Sequence, residues 1–178
     1  MSGFIRNRLD RDLIVLGGPA KNEAARAFLE NFRTDYSLTR FNFDDVTDTI
    51  EIEPEGGAPF SVKDFAPSMA NGYPLRDFGL IVVAARGGQA GKTYRSVLCA
   101  GFTTYGTAAA AEFLFGDLVK LSRSSLRNRL GVDLNRRGTS FVAVVSARFS
   151  RGECTELRTV YVSAVPFRAS LTEVRGAA

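Results

Sequence analysis

Residues 93–115 read TYRSVLCAGFTTYGTAAAAEFLF, and three kinds of segment follow one another within them. The apolar run 97–100 predicts a buried strand, residues 101–107 are rich in glycine and threonine, and an alanine-rich helix is predicted from Ala108. A helix start leaves backbone N–H groups without intrahelical partners and carries the positive end of the helix dipole. The sequence therefore predicts a small-residue loop and a helix N-terminus suited to an anion such as phosphate.

A second strand–glycine–helix unit lies nearer the N-terminus. The apolar run 12–16 ends at the turn Gly17-Gly18-Pro19, and apolar residues then recur at helical spacing over 24–32. Asn22 stands where a helix cap is expected. Each helix can cover the sheet that the chain has just left, so the two units predict an α/β fold with a Rossmann-like mixed sheet.

Antiparallel hairpins are predicted in two other parts of the chain. Apolar residues alternate with polar ones over 36–52, which indicates a half-exposed hairpin, and over 138–165, which indicates a C-terminal antiparallel hairpin that closes the sheet. A further apolar strand is predicted over 78–85. Residues 54–74 are rich in glycine and proline, and we expect them to form a long loop or flap over the site.

Length and composition bound the domain organisation. With 178 residues, 45% of them hydrophobic and 24% charged, the chain is expected to form a single α/β domain spanning 1–178. Residues 1–11 are predicted as a basic lead-in and residues 168–178 as a small-residue tail. The tail carries no obvious terminal element, so a domain excised from a larger protein is an alternative interpretation.

Histidine is absent, and Cys99 and Cys154 are the two cysteines. A Ser-His-Asp triad, a Cys-His dyad and a histidine-ligated metal site are therefore excluded. Two isolated cysteines provide neither a disulfide framework nor a CxxC signature, which suits a cytoplasmic protein. The first residues lack the apolar region of a signal peptide, and no apolar run approaches membrane-spanning length, so we expect neither export nor a membrane partner.

The charge of the chain is mildly basic. A net charge of +4 fits a phosphate ligand or nucleic acid, but solubility alone also favours a nonzero charge. A helix is predicted over 117–130, and its basic residues form a cluster with Arg136 and Arg137. One interpretation is contact with a phosphate-rich partner. An exposed helix face is favoured over nucleic-acid binding, because no aromatic residues are interleaved with the charges.

Two segments resemble known motifs without matching them. Residues 86–93, RGGQAGKT, are one residue short of the P-loop spacing and lead into a predicted strand rather than a helix, so we predict a hairpin turn there. The acidic residues over 44–55 do not follow the spacing of a calcium loop. We interpret them as a solvated face and expect no metal site.

Both glycine-rich turns follow strands, and ligands of open α/β sheets bind beyond the carboxyl ends of strands. If the two strands are parallel neighbours, the two loops converge on one crevice. Glycines would let the backbone approach a ligand there, and the helix starts would supply oriented N–H groups. The alternative is that the glycines only allow tight turns. The predicted ligand-binding residues are Gly17, Gly18, Gly101, Thr103, Thr104, Tyr105, Gly106 and Thr107.

The segments Val15-Leu16-Gly17-Gly18-Pro19 and Tyr105-Gly106-Thr107, the latter followed by a helix containing Glu112, resemble the lysine-decarboxylase-like and SLOG group of Rossmann-like domains. In that group a first strand ends in glycines and a later segment reads Pro-Gly-Gly-x-Gly-Thr-x-x-Glu. The group includes nucleotide-monophosphate phosphoribohydrolases and sensors of nucleotide-derived signals in prokaryotic defence.

This chain departs from the second motif at two points. Gly101-Phe102-Thr103-Thr104 replaces its Pro-Gly-Gly start, and Ala110 stands at its glutamate position, two residues before Glu112. The resemblance therefore implies binding of a phosphorylated nucleoside more than it implies hydrolysis.

Three functions follow from these observations. The favoured one is binding or sensing of a small phosphorylated, nucleotide-derived ligand in a prokaryotic signalling or defence system, with a homo-oligomer or a fused domain as partner. The second is a small nucleotide N-glycosidase or phosphohydrolase, in which Glu112 or Glu23 acts on developing charge or on water and Tyr105 positions the sugar. The third is a protein or nucleic-acid interaction domain that uses the basic helix. The sequence identifies no cofactor.

Overall fold

A computed structural model of the chain describes residues 12–87, 92–117 and 139–168. Within these ranges the fold is mixed α/β, with a five-stranded sheet, a three-stranded sheet and a two-stranded hairpin. The helices and strands follow in the order β1 (Leu13–Leu16), α1 (Glu23–Asp35), β2 (Leu38–Asp44), β3 (Thr49–Pro54), β4 (Phe60–Val62), β5 (Met69–Ala70), β6 (Tyr73–Pro74), β7 (Arg76–Gly87), β8 (Thr93–Gly101), α2 (Thr104–Ala111), a π-helical turn (Glu112–Asp117), β9 (Phe141–Ser150) and β10 (Glu153–Ala164).

Three predicted segments fall mostly or wholly outside the described residues. They are the basic lead-in 1–11, the basic helix 117–130 with the two arginines that follow it, and the tail after Arg168. Arg168 itself is held in place, because its guanidinium donates to the carbonyl of Leu38 (2.8 Å) and to the carboxylate of Glu55 (2.7 Å).

The five-stranded sheet has the order β1-β8-β7-β9-β10. The pair β1–β8 is parallel, and the other three pairs are antiparallel. The α/β class, the two strand–glycine–helix units and the C-terminal hairpin β9–β10 are confirmed. The sheet has less parallel pairing than a Rossmann-like sheet. Two strands that follow each other in the chain can pair in parallel only if a long crossover, usually a helix, connects them, and the connection between β7 and β8 is too short for one.

The two faces of the large sheet are covered by different elements. On one face lie α1 and the small sheet β2–β3–β4, whose side chains Phe32, Phe41 and Ile52 share a buried cluster with Leu80 and Leu98 of the large sheet. The predicted hairpin over 36–52 is thus confirmed as β2–β3, and it packs on the sheet rather than standing free.

The opposite face carries α2 and the π-helical turn. Ala110 and Phe113 pack there against Ile81, Val97 and Cys99. Neither α-helix in the described part of the chain combines the length and the apolar character needed to cross a membrane.

The segment 54–74 differs from the loop expected there. It contains β4, which extends the small sheet by pairing with β3, and the short hairpin β5–β6. Asn71 and Gly72 turn this hairpin with positive φ angles of 53° and 82°. Strands of two or three residues are too short to leave a periodic pattern in the sequence, so the composition alone suggested a loop.

Candidate functional site

A cleft of about 710 Å³ lies at the carboxyl ends of β1 and β8. The two strands are parallel neighbours, with Leu16 in register with Cys99, so the glycine-rich loops that follow them meet at one edge of the sheet. The start of α1 and the turn between β2 and β3 form the remaining walls. The lining residues are Leu16, Gly17, Gly18, Ala20, Lys21, Asn22, Asp45, Val46, Gly101, Phe102, Thr103, Thr104 and Thr107.

Six of the eight predicted ligand-binding residues line this cleft, and Tyr105 and Gly106 do not. The ring of Tyr105 packs edge-on against Tyr73 and Phe149, with ring centroids 6.0 and 5.4 Å apart. Gly106 is a buried residue in the first turn of α2, which begins at Thr104 rather than at Ala108 as predicted. Both residues therefore contribute to packing behind the loop rather than to its surface in the cleft.

The glycine-rich segment after β1 is the first loop of the cleft, and the one after β8 is the second loop. The second loop is closed by the buried carboxylate of Asp77. Asp77 is fully buried. Its Oδ2 accepts hydrogen bonds from the backbone N–H (3.1 Å) and the hydroxyl (2.6 Å) of Thr103 and from the N–H of Gly106 (2.8 Å). Its Oδ1 accepts a hydrogen bond from the N–H of Phe78 (2.7 Å). Burial raises the pKa of Asp77, although these hydrogen bonds act in the opposite direction. Several N–H and hydroxyl groups that were predicted from the sequence to bind a phosphate ligand thus donate to the carboxylate of Asp77.

Three glycines, one of them in β7, let α2 lie directly on the sheet. A Cβ at Gly101 would collide with the backbone of Gly106 and Thr107, and one at Gly79 would lie 2.6 Å from the carbonyl oxygen of Gly106. A Cβ at Gly106 would in turn meet the carbonyl of Phe78 and the carboxylate of Asp77. Close backbone approach explains why glycine stands at these three positions.

The first loop is built in a similar way but is more open. Gly17 has a φ angle of +108°, and its N–H donates to the carbonyl of Cys99 (2.9 Å). The carboxylate of Asp45 reaches across from the β2–β3 turn, accepts from the N–H of Ala20 (3.0 Å), and lies where a side chain on Gly18 would be. Asp45 is half-buried and lines the cleft.

The start of α1 is capped by Asn22. Its Oδ1 accepts from the N–H groups of Ala24 (2.9 Å) and Ala25 (3.2 Å), and its side-chain amide donates to the carbonyl of Leu16 (2.9 Å). The predicted cap is confirmed. These donors of α1 are therefore occupied, and the cleft gains little anion-binding capacity from this helix.

Other polar groups at the cleft retain binding capacity. The N–H of Thr104, the first of α2, has no acceptor among the described residues, and the ammonium of Lys21 is exposed. The hydroxyls of Thr104 and Thr107 add further donors and acceptors, although that of Thr107 also contacts the carbonyl of Thr103 (3.3 Å). Leu16 and Val46 supply apolar surface, with 53% and 75% of their surface exposed.

The β2–β3 turn makes one wall of the cleft acidic. The N–H groups of Val46 (2.8 Å) and Thr47 (3.2 Å) donate to Asp44, and the first of these bonds is the main reason for the lowered pKa of Asp44. Burial, followed by the charges of Asp44 and Asp45, raises the pKa of Asp48. Among the described residues no group of three or more Asp, Glu or Cys side chains is arranged to hold a metal ion.

The three catalytic candidates are not brought together. Glu23 is exposed in the first turn of α1, Glu112 is exposed at the C-terminal end of α2, and neither they nor Tyr105 line the cleft. Glu112 lies about 12 Å along the helix axis from Thr104, the first residue of α2. Burial raises the pKa of the Cys99 thiol to about 12, so Cys99 is not an available nucleophile at neutral pH.

Lys21, Asp45 and Val46 line the site but were missing from the predicted set. The sequence placed Asp45 on a solvated acidic face, because a pair of aspartates after an alternating strand is typical of an exposed turn. Asp77 was also missed. Nothing local to residue 77 distinguishes a buried carboxylate from an exposed one at the start of a strand.

A second depression, of about 460 Å³, runs along the edge strand β10. It is lined by the consecutive residues 157–162 of this one strand. The cleft at β1 and β8 differs because separate elements converge on it and bring charged, hydroxyl and apolar groups together, which is typical of ligand sites.

Comparison of the chain with protein-family models, with curated proteins and with solved structures gave no match. The chemistry of the cleft follows from its own residues. One ammonium, one carboxylate, a backbone N–H, hydroxyl groups and apolar side chains are suited to holding a small polar ligand. A nucleophile paired with a base is not found among the described residues that line it.

Proposed function

We propose that the protein binds a small phosphorylated, nucleotide-derived ligand in the cleft at the carboxyl ends of β1 and β8, and acts as a sensing module. The observation that supports this most strongly is the convergence of two strand–glycine–helix units on one cleft. In this proposal the two units form the ligand-binding part of a Rossmann-like domain within an otherwise antiparallel sheet. The proposal includes a cytoplasmic location and a role in prokaryotic signalling or defence.

The phosphate would contact the groups that the protein itself does not use. These are the N–H and hydroxyl of Thr104 and the ammonium of Lys21; the hydroxyl of Thr107 would join them by turning away from the carbonyl of Thr103. The exposed side chains of Leu16 and Val46 would pack against a planar base. A cleft of about 710 Å³ lies within the range of small-molecule sites, roughly 300–1,000 Å³.

Binding is favoured over turnover because the catalytic candidates lie elsewhere. Glu23, Tyr105 and Glu112 are absent from the described lining of the cleft. N-glycosidase or phosphohydrolase chemistry would require an acid and a base at the reacting atoms, and Asp45 is the one carboxylate in the described lining of the cleft. The ligand would therefore leave the site unchanged.

The test is a thermal-shift series with AMP, cyclic nucleotides, NAD and ADP-ribose, followed by product analysis of every ligand that binds. A ligand that binds the folded state raises the melting temperature in a saturable way. We expect such a shift without product formation. If none of these ligands raises the melting temperature, the proposal fails; if product accumulates, the protein is an enzyme rather than a sensor.

Two lysine variants test where the phosphate of the ligand binds. Lys21→Gln removes the ammonium from the cleft and should weaken binding of the ligand by at least about tenfold, because a charged hydrogen bond contributes roughly 1.5–3 kcal/mol. Lys92→Gln is the matched control, since Lys92 is exposed and precedes β8 at the end of the strand opposite the cleft. Equal losses in both variants would show that net charge, and not the cleft, governs the affinity.

A further inference from the structure

The carboxylate of Asp45 has a fixed position in the cleft wall. It accepts from the N–H of Ala20 (3.0 Å), a residue 25 positions earlier in the chain, and it rests against the backbone of Gly18. Gly18 allows this approach because any side chain there would occupy the space of the Asp45 carboxylate. The first loop and the β2–β3 turn together place this acidic group where a ligand would lie.

This carboxylate retains unused acceptor capacity. An ionised carboxylate offers about four acceptor positions on its two oxygens. Within the described ranges the N–H of Ala20 is the one group that donates to Asp45. Since Asp45 lines the cleft, its remaining positions are available to hydroxyl or amine groups of a ligand.

The same wall disfavours a phosphate. Asp44 and Asp48 lie in or beside the same turn, and the charges of Asp44 and Asp45 help to raise the pKa of Asp48. A phosphate near Asp45 would therefore meet like charge. The opposite side of the cleft, at Thr104 and Thr107, presents an N–H and hydroxyl groups instead.

We propose that Asp45 makes the cleft selective for a phosphorylated ligand with a vicinal diol, such as the ribose of a ribonucleotide, whose two hydroxyls donate to the carboxylate. This inference rests on the proposed function, because it assigns the sugar end of the ligand whose phosphate contacts the second loop. Two adjacent O–H donors match the two oxygens of one carboxylate, and hydrogen bonds to an ionised acceptor are the stronger kind. A deoxygenated sugar would leave Asp45 without these partners.

The experiment is a calorimetric titration of the full chain with AMP and with 2′,3′-dideoxy-AMP, which keeps the phosphate and the base. We expect wild type to bind the dideoxy compound at least about tenfold more weakly. Asp45→Asn should remove most of this difference, because its amide oxygen can still accept from Ala20 while its NH₂ group no longer accepts a hydroxyl.

Two further variants control the result. Asp48→Asn removes a negative charge from the same turn without altering the described lining of the cleft, and asparagine tolerates the positive φ angle of 47° at this position. It should preserve the discrimination. Gly18→Ala, which displaces the carboxylate without deleting it, should reduce the discrimination even if Asp45→Asn does not fold.

The outcomes separate this inference from the proposed function. Equal affinity of wild type for AMP and dideoxy-AMP would overturn the diol selectivity and leave the nucleotide site standing. Discrimination that persists in both Asp45→Asn and Gly18→Ala would also overturn the role of Asp45. If neither AMP nor any other ligand of the thermal-shift series binds, the proposed function and the selectivity fall together.

Discussion

The two glycine-rich loops are constructed alike but closed to different degrees. Each receives a carboxylate from a distant part of the chain, Asp45 at the first loop and Asp77 at the second. Asp77 is fully buried and accepts four hydrogen bonds, whereas Asp45 is half-buried and accepts one from Ala20. A helix start after a glycine-rich turn can thus hold the protein's own anion. Asp77 occupies the donors of Thr103 and Gly106 and leaves the N–H and hydroxyl of Thr104 to a ligand, whereas Asp45 keeps acceptor positions of its own.

Substitutions of glycine should give the largest difference in stability loss between the two loops. Gly101→Ala places a methyl group against backbone atoms of α2, which cannot move without displacing the helix, so we expect a loss of more than about 3 kcal/mol or failure to fold. Gly18→Ala meets only the side chain of Asp45, which can rotate away, and should cost about 1 kcal/mol. Urea unfolding measures both. Equal losses would show that the first loop is as tightly constrained as the second.

Neutralising the two carboxylates tests the same contrast with a smaller effect. Asp77→Asn turns one acceptor oxygen into a donor that faces the N–H groups around it, so we expect a loss of about 1–3 kcal/mol in the free energy of unfolding. Asp45→Asn keeps the bond from Ala20 and should change stability by less than about 0.5 kcal/mol. A larger loss for Asp45→Asn than for Asp77→Asn would reverse the assignment of the two loops.

The pH dependence of stability should carry a smaller but diagnostic signal from Asp77. Burial raises the pKa of this carboxyl above its unfolded value, so the native state keeps the proton to a higher pH than the unfolded chain does. The contribution of Asp77 is then fully present below about pH 4 and is lost as the pH rises through the raised pKa.

Unfolding of wild type and Asp77→Asn at a series of pH values measures this contribution. The stability advantage of wild type over the variant should shrink as the pH rises from about 4. An advantage that grows with pH would mean that the hydrogen bonds to the carboxylate outweigh its burial. Asp45→Asn serves as the comparison for a half-buried carboxylate in the other loop.

The pattern of apolar residues in the sequence was sufficient to predict many of the strands and helices. Apolar runs predicted the strands over 12–16 and 78–85, and Asn22 was recognised as a cap because its position before the helical pattern is diagnostic. The meeting of the two loops was predicted on the condition that their strands are parallel neighbours, which holds for β1 and β8. The largely antiparallel sheet was not predicted, because strand order depends on pairings between distant residues.

The interior of the site could not be predicted for the same reason. Gly106 and Thr103 were predicted from the sequence to bind the ligand. Nothing in the sequence indicates that Asp77, 26 residues before Thr103, accepts hydrogen bonds from both of them. It also placed Asp45 on a solvated face, since contact with Gly18 arises only when the small sheet packs on the large one. Both carboxylates act through long-range contacts.

The most direct measurement is a map of backbone amide chemical shifts during titration with AMP. Binding in the cleft predicts the largest changes at Gly17, Gly18, Ala20 and Thr104, with little change in residues 157–162 of β10. This pattern would place a nucleotide between the two loops. Unchanged shifts at saturating AMP, or changes centred on the β10 depression, would contradict the assignment of the cleft as the ligand site.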